Sequence, residues 1–223
     1  MRKCELHDLG RIGYEEAFAW QRDLVERRKL GAIPDQFLLV EHPHVITMGR
    51  NGRRENLLAR EEVLARSGIS FHYTDRGGDV TYHGPGQVVG YPVLDLRAWK
   101  RDVVAYVRGL EQVLIDALAA FGIRAGRVAN CTGVWVEDRK IAAIGVHISR
   151  WVTSHGFALN VDTDLDYFRY IVPCGLTRPV TSMRAEGVEA NRAEVVAALA
   201  AGFASVFECE VVQVHDSVEE KVG

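Results

Sequence analysis

Apolar positions along this chain follow two rhythms. Tyr14, Ala17, Phe18, Gln21, Leu24 and Val25 recur at three- and four-residue intervals, which predicts an amphipathic helix over residues 14–29, closed by Gly31. Asp102 stands before a second periodic stretch, Val103, Val107, Leu110, Val113, Leu114, Ala117 and Leu118, whose stripe predicts a long capped helix running to Gly122. Asn191 caps a third helix, rich in Ala and Val, through Phe207. Between these helices the rhythm changes. Residues 37–40 and 45–48 are short apolar runs split by His42-Pro43-His44, the mark of buried strands on either side of a tight connection. Residues 133–136, 140–149 and 153–161 read as an antiparallel meander with turns at 137–139 and 150–151, and residues 210–214 as an edge strand. Helices bracketing clustered strands predict an α+β, mixed α/β fold rather than regular βαβ winding.

One segment departs from both rhythms. The run RGGDVTYHGPGQ at residues 76–87 places four glycines and a proline around a short β-prone core. Gly77 and Gly78 can take positive φ and carry no Cβ, so their N–H groups can converge on a carbonyl or anionic oxygen. Val80, Thr81 and Tyr82 predict a strand, Gly84-Pro85-Gly86 a turn, and residues 88–94 a second extended run, together a hairpin. Glycines that merely permit a tight turn would suffice for a structural hairpin. Arg76, Asp79, Tyr82 and His83 within eight residues point instead to a ligand-facing segment.

Composition narrows the class. The chain has 223 residues, enough to bury a full core, and no linker-like tract, so one domain over residues 1–223 is expected, with the acidic tail beyond Val214 frayed. It is 48% hydrophobic and 26% charged, with apolar runs too short to span a bilayer, which predicts no membrane role. Thirty acids against 27 bases give a net charge of −3 and no electrostatic footprint for nucleic acid. The N-terminus lacks the apolar stretch of a signal peptide, and the four cysteines, Cys4, Cys131, Cys174 and Cys209, are irregularly spaced. Reduced thiols and a cytoplasmic location are the resulting expectation.

The candidate chemistry centres on a thiol. Pro173-Cys174-Gly175 sets a cysteine between a φ-locked residue and one without a side chain, a suitable stage for an exposed nucleophile; Cys131, in the polar run Asn130-Cys131-Thr132, is its rival. Lys140 opens an apolar strand, where partial burial favours the neutral amine and lets it serve as base, although a lysine at a strand entrance commonly just faces solvent. His83 and His155 are alternative bases, while His42, His44 and His147 read as surface or packing residues. No helical H-x-x-x-H pair or acidic cluster supports a metal site.

Taken in order, RGGDVTYHGPGQ at 76–87, GVWV at 133–136 with KIAAIG at 140–145, SHGFALNV at 154–161 and PCG at 173–175 resemble the lipoyl(octanoyl) transferases over nearly the whole chain. The resemblance implies a catalytic domain like that of biotin and lipoate protein ligases, with a mixed, largely antiparallel sheet flanked by helices. It implies transfer of an octanoyl or lipoyl group from acyl carrier protein to a lysine of lipoyl domains, in 2-oxo acid dehydrogenase complexes or the glycine cleavage H protein, without ATP or other cofactor. Cys174 would carry the acyl thioester and Lys140 lower its pKa. Arg76, Gly77, Gly78, Asp79, Val80, Thr81, Tyr82, His83, Ala143, Ile144, Gly145, Gly156, Phe157 and Ala158 would line the substrate pocket, with His155, Tyr91 and Gly175 in support. Oxyanion donors would come from Gly175, Gly77 or Gly78, and an apolar slot for the chain from Val80, Tyr91, Val134 and Ile144. Asp79 stands where relatives carry Gln. Two other readings remain: an ATP-dependent lipoate ligase of the same fold, and an acyl-binding module without catalysis.

Overall fold

The computed structural model describes residues 1–172 and 178–214, apart from the Glu61 side chain. Cys174, Gly175 and the tail beyond Val214 lie outside them. The elements are β1 (Arg2–Arg11), α1 (Tyr14–Lys29), β2 (Asp35–Glu41), β3 (Val45–Met48), α2 (Glu61–Arg66), β4 (Ser70–Tyr73), β5 (Val80–His83), β6 (Gln87–Val93), α3 (Val103–Ala119), β7 (Gly126–Val128), β8 (Cys131–Val136), β9 (Arg139–Ser149), β10 (Val152–Asn160), α4 (Arg192–Phe207) and β11 (Cys209–Val214). Eight strands form one sheet in the order β11-β1-β2-β6-β10-β9-β8-β7, and β4-β3-β5 form a second. The large sheet is parallel only where β1 meets β11 and β2. The rest of it is antiparallel, including the expected meander β8–β9–β10.

Period-two alternation sorts the buried strand residues between two layers. In β2, Phe37 and Leu39 join the core filled by α3 and α4, with Leu110, Leu114, Leu199 and Phe203. Leu38 and Val40 face the other way, toward Ala17 of α1, with Val89, Tyr91 and Ala158. The helix ends are made as their sequences require. Asp102 accepts from the Val104 and Ala105 N–H groups, at 2.8 and 3.0 Å. Asn191 and Glu194 form a reciprocal capping box.

The hairpin expected at residues 80–94 does not form. β5 pairs with β3 in the small sheet, and β6 pairs with β2 and β10 in the large one. Gly84-Pro85-Gly86 therefore carries the chain from one sheet to the other. Gly86 has φ +77°, and a Cβ there would lie 2.4 Å from Asp162 O. Its carbonyl accepts from the Val161 and Asp162 N–H groups at 3.1 and 2.9 Å, while its own N–H donates to Glu41 Oε2 at 3.0 Å. Partners far along the chain hold this turn, which is why local turn chemistry alone suggested a hairpin. Residues 37–40 and 45–48 are strands as expected, but they too belong to different sheets. The crevice between the two sheets holds the candidate site.

Candidate active site

β5 divides its residues between two environments. Val80 and Tyr82 point into the small sheet's own core with Ile46, Met48, Leu57 and Leu64. Thr81 and His83 point the opposite way and, with Thr47 of β3, form one wall of a cavity. The facing wall comes from the large sheet: Val89 and Tyr91 of β6, Ala143, Ile144 and Gly145 of β9, and His155, Gly156, Phe157 and Ala158 of β10. Tyr14, at the start of α1, Arg76 and Gly78 complete the lining. The space between these walls amounts to about 490 Å3, open solvent at its mouth included.

Of the residues expected to line a pocket, Arg76, Gly78, Thr81, Tyr91, His83, Ala143, Ile144, Gly145, His155, Gly156, Phe157 and Ala158 all meet at this cavity. Gly77 lies in an adjoining open groove with Lys140 and Cys131. Its N–H donates to Val146 O at 2.8 Å, which removes it from the oxyanion donors and leaves Gly78, at φ +87°, of that pair. Asp79 is turned away: it accepts from the Arg53 N–H at 3.0 Å and from Asn56 Nδ2, anchoring the loop that follows β3. Val80 and Val134 are buried in the two cores, so only Tyr91 and Ile144 of the four expected slot residues reach the cavity.

Arg76 explains two of the glycines. Its buried guanidinium donates to Thr47 O at 2.8 Å, to Thr47 Oγ1 at 3.0 Å and to Gly77 O at 3.1 Å. A Cβ at Gly49 would lie 2.8 Å from Arg76 Nη1, and one at Gly145 3.2 Å from its Cδ. The arginine thus ties the glycine-rich loop to β3 of the small sheet and packs close to Gly145 of the large one, while the Gly77 N–H bonds the loop to Val146 of β9.

Two buried histidines set the polarity of the lining. His42, which the sequence offered only as a surface or packing residue, lies behind the wall with Nδ1 2.9 Å from Ile12 O and Nε2 2.7 Å from the Tyr91 hydroxyl. Because a carbonyl only accepts, Nδ1 carries the proton, and the neutral ring accepts from Tyr91 at Nε2. Burial depresses the His42 pKa to about 4. His83 is pushed down to about 3 by burial, with His42 and Arg76 adding to the effect. Its Nδ1 donates to Gln87 Oε1 at 2.7 Å, Gln87 Nε2 donates to Asn160 Oδ1 at 2.9 Å, and Asn160 Nδ2 to Thr181 O at 2.9 Å. His155, at φ +55°, places Nε2 2.7 Å from Asp75 Oδ1. That contact, with charge support from His155 and His147, holds the Asp75 carboxyl down to about 2.

The sign of the histidine shifts gives a first prediction. Between the folded values of about 3 and 4 and the ordinary 6.5, the unfolded chain binds more protons than the folded one. Stability contributed by the two neutral rings is therefore complete above pH 6.5 and lost as pH falls toward 4, each ring giving up to about 1.4 kcal/mol per pH unit. Urea unfolding midpoints at pH 7 and 5 check this, and equal midpoints would mean that the rings are not buried neutral.

Lys140 sits beside the cavity rather than in it. It lines a small neighbouring space with Gln87, Asn160, Phe168 and Val180, and Thr81, Ala143 and Ala158 belong to both spaces. The side chain is buried, with Nζ 4.7 Å from the centre of the Trp135 ring. Gly133, at φ +122°, makes room for it: a Cβ there would stand 3.4 Å from Lys140 Cε and 2.7 Å from Ala142 O. Buried Glu111 accepts from the Gly133 N–H at 3.2 Å and pairs with Arg108 and Arg127 at 2.7 and 2.9 Å, fixing β8 to α3. The Lys140 backbone donates to Pro179 O and accepts from Thr181 N–H, each at 2.9 Å, while Val172 N–H donates to Asn56 O at 2.8 Å. The chain that emerges after the Pro173-Cys174-Gly175 motif is thereby bonded to the lysine itself.

Sequence reasoning did not single out Tyr14, Thr47, Val89 or His42 for the site. The available signal was a polar tip on an otherwise apolar buried stripe, as at Tyr14 and Gln21 of α1; Gln21 Oε1 accepts from the His155 N–H at 3.0 Å.

The fold is that of the lipoate and biotin protein ligase catalytic domains. An ATP-bound lipoate-protein ligase A superposes with a TM-score of 0.78 at 18% identity, covering 96% of this chain and 90% of that one. The Aquifex aeolicus biotin protein ligase gives 0.52 at 12% identity, over 92% and 69%. The lipoyl protein ligase A/B catalytic domain family matches residues 13–204. An octanoyltransferase of Solibacter usitatus is 64% identical over 95% of this chain and 96% of its own, and one of Acidobacterium capsulatum 54% identical over 81% and 79%. Within that family the chain belongs to the octanoyltransferases, which are acyltransferases.

Proposed function

We propose that this chain, acting as one catalytic domain over residues 1–223, moves an octanoyl group from the thioester of acyl carrier protein to a lysine of a lipoyl domain, with Cys174 as nucleophile and Lys140 as its base. The observation that carries the site assignment is the bonding of Lys140 to the segment at residues 179–181, which begins four residues beyond the Pro-Cys-Gly motif and lies beside the cavity. Lys140 takes the Cys174 proton; the thiolate attacks the thioester carbonyl, and the carrier's thiol leaves with that proton. Exchange of one thioester for another needs no ATP. The neutral amine of the acceptor lysine then attacks the acyl-enzyme, forming an amide and releasing the Cys174 thiolate, with Lys140 accepting the amine's proton. Both tetrahedral oxyanions need fixed N–H donors, for which Gly175 and Gly78 are the candidates. The apolar stretch of the cavity, Val89, Ile144, Phe157 and Ala158, takes the methylenes, each worth roughly 0.8 kcal/mol when buried.

Incubation with octanoyl-loaded carrier protein, without ATP, tests this. The intact mass should rise by one octanoyl group, the adduct should map to Cys174, and Cys174→Ala should remove it and abolish transfer to a lipoyl domain. An adduct on Cys131, which shares the open groove with Lys140, would reassign the nucleophile. A strict requirement for ATP would replace the transferase chemistry by that of a ligase, and no adduct at all would leave only an acyl-binding role.

A further inference from the structure

Positive charge is unevenly placed along this chain. Residues 50–60, between β3 and α2, carry four arginines, Arg50, Arg53, Arg54 and Arg60, against one acid, Glu55, although the whole chain has a net charge of −3. All four are exposed. Arg53 and Glu55 approach to 3.6 Å, but with side chains 74% and 73% exposed the pair is weak and leaves the field of this island positive. Arg54 lies over the Phe71 ring, 5.6 Å from its centre. Leu58, 60% exposed, adds an apolar residue to the same surface.

Backbone bonds set this island beside the way into the site. The Arg50 and Asn51 N–H groups donate to Arg76 O and Gly78 O at 3.0 and 3.1 Å, so the segment starts on the glycine-rich loop. Asn51 lines the open groove that also holds Gly78 and Lys140. Farther along, Asn56 O accepts from the Val172 N–H at 2.8 Å and the Leu58 N–H donates to Tyr170 O at 2.9 Å, which ties the segment to the chain entering the Pro173-Cys174-Gly175 motif. A neutral acyl chain has no use for these charges, and an approaching lysine ammonium is repelled by them. The acyl donor has the opposite sign, because a phosphopantetheine arm joins its carrier protein through an anionic phosphodiester.

We propose that residues 50–60 are the docking surface for the acyl donor, receiving an acidic face of the carrier protein around the root of the arm while the arm lies along the open groove toward Lys140. The proposal rests on the proposed acyl transfer and names the surface that serves its first step. Complementary charge at a rim speeds encounter and fixes orientation more than it adds affinity. The effect therefore falls on acylation, not on deacylation.

The test compares the wild type with the double variant Arg50→Glu/Arg53→Glu, using octanoyl-loaded carrier protein, octanoyl phosphopantetheine and octanoyl pantetheine as donors. The readout is the ratio of kcat/KM for acylation by carrier protein to that by octanoyl pantetheine, in which any loss of folded enzyme cancels. That ratio should fall roughly tenfold, the low end of what electrostatic steering supplies. Deacylation of the octanoyl-enzyme by a lipoyl domain should stay within about twofold of wild type. Rising salt should slow wild-type acylation by the carrier protein and bring it toward the variant's rate. If the double reversal does not fold, Arg50→Gln/Arg53→Gln is read in the same way, with a smaller fall expected. An unchanged ratio would overturn the proposal. An equal loss with octanoyl phosphopantetheine would reduce the island to a phosphate contact, and an equal loss in deacylation would give the surface to the acceptor; either result rejects a donor docking surface. Acylation of the wild type by octanoyl pantetheine, with no carrier protein present, tests the underlying chemistry separately.

Discussion

Lys140→Ala is expected to slow acylation by octanoyl-carrier protein roughly 10²–10⁴-fold, the range that general base catalysis supplies. The lysine is buried at the mouth of β9, its amine lies over Trp135, and its backbone is bonded on both sides to residues 179 and 181. Arginine can stack on the indole as well but stays protonated and cannot serve as a base. Lys140→Arg should therefore preserve the fold and leave acylation as slow as in Lys140→Ala. Time courses of the octanoyl adduct by intact mass, alongside circular dichroism, separate the possibilities. An arginine variant that acylates at the wild-type rate would show that only positive charge matters, and an alanine variant within twofold of wild type would remove Lys140 from the mechanism.

The structure also shows which parts of this arrangement the sequence could reveal. α1, α3 and α4 were legible because each combines a periodic stripe with an end signal: Gly31 beyond α1, and the Asp102 and Asn191 caps. β1 was not, because Arg2–Arg11 interleaves charges with its few apolar residues; Cys4, Leu6 and His7 are buried while its other positions are half-buried or exposed. Its strand character comes from parallel pairing with β2 and β11, a relation between segments that lie far apart in sequence. The same limit produced the hairpin expected at residues 80–94. A turn containing Gly-Pro-Gly looks alike whether it returns a strand to its own sheet or passes it to another.

In the site, the glycine-rich run was visible as an anomaly of composition, yet only alternate residues of β5 face the cavity. Val80 and Tyr82 serve the small sheet's core. Tyr14 and His42 escaped notice for the opposite reason. A tyrosine on an apolar helix stripe and a histidine beside a proline look like packing residues until the topology shows what their polar atoms meet.

Gly156→Ala should be the most damaging single-atom change away from the reacting groups. Gly156 pairs with Gly145 of β9 in the middle of β10, and a Cβ added to it would stand 2.2 Å from Gly90 O and 2.7 Å from Pro92 Cδ. The first of these is main chain of β6, the strand bonded to β10. A side chain could swing aside, but a carbonyl in a sheet cannot move without breaking the ladder around it. The strands are locked further by Phe157, opposite Gly90: a Cβ at Gly90 would lie 2.3 Å from that ring, so the ring fills the space the glycine leaves. Separating β6 from β10 splits the layer that carries Tyr91, His155, Phe157 and Ala158. The expected loss is at least about 3 kcal/mol, beyond ordinary overpacking because the collision is with backbone. Urea unfolding measures it, and the surviving folded fraction should bind acyl chains poorly. A variant with the wild-type midpoint would mean that β6 and β10 lie farther apart at this point than the structure places them.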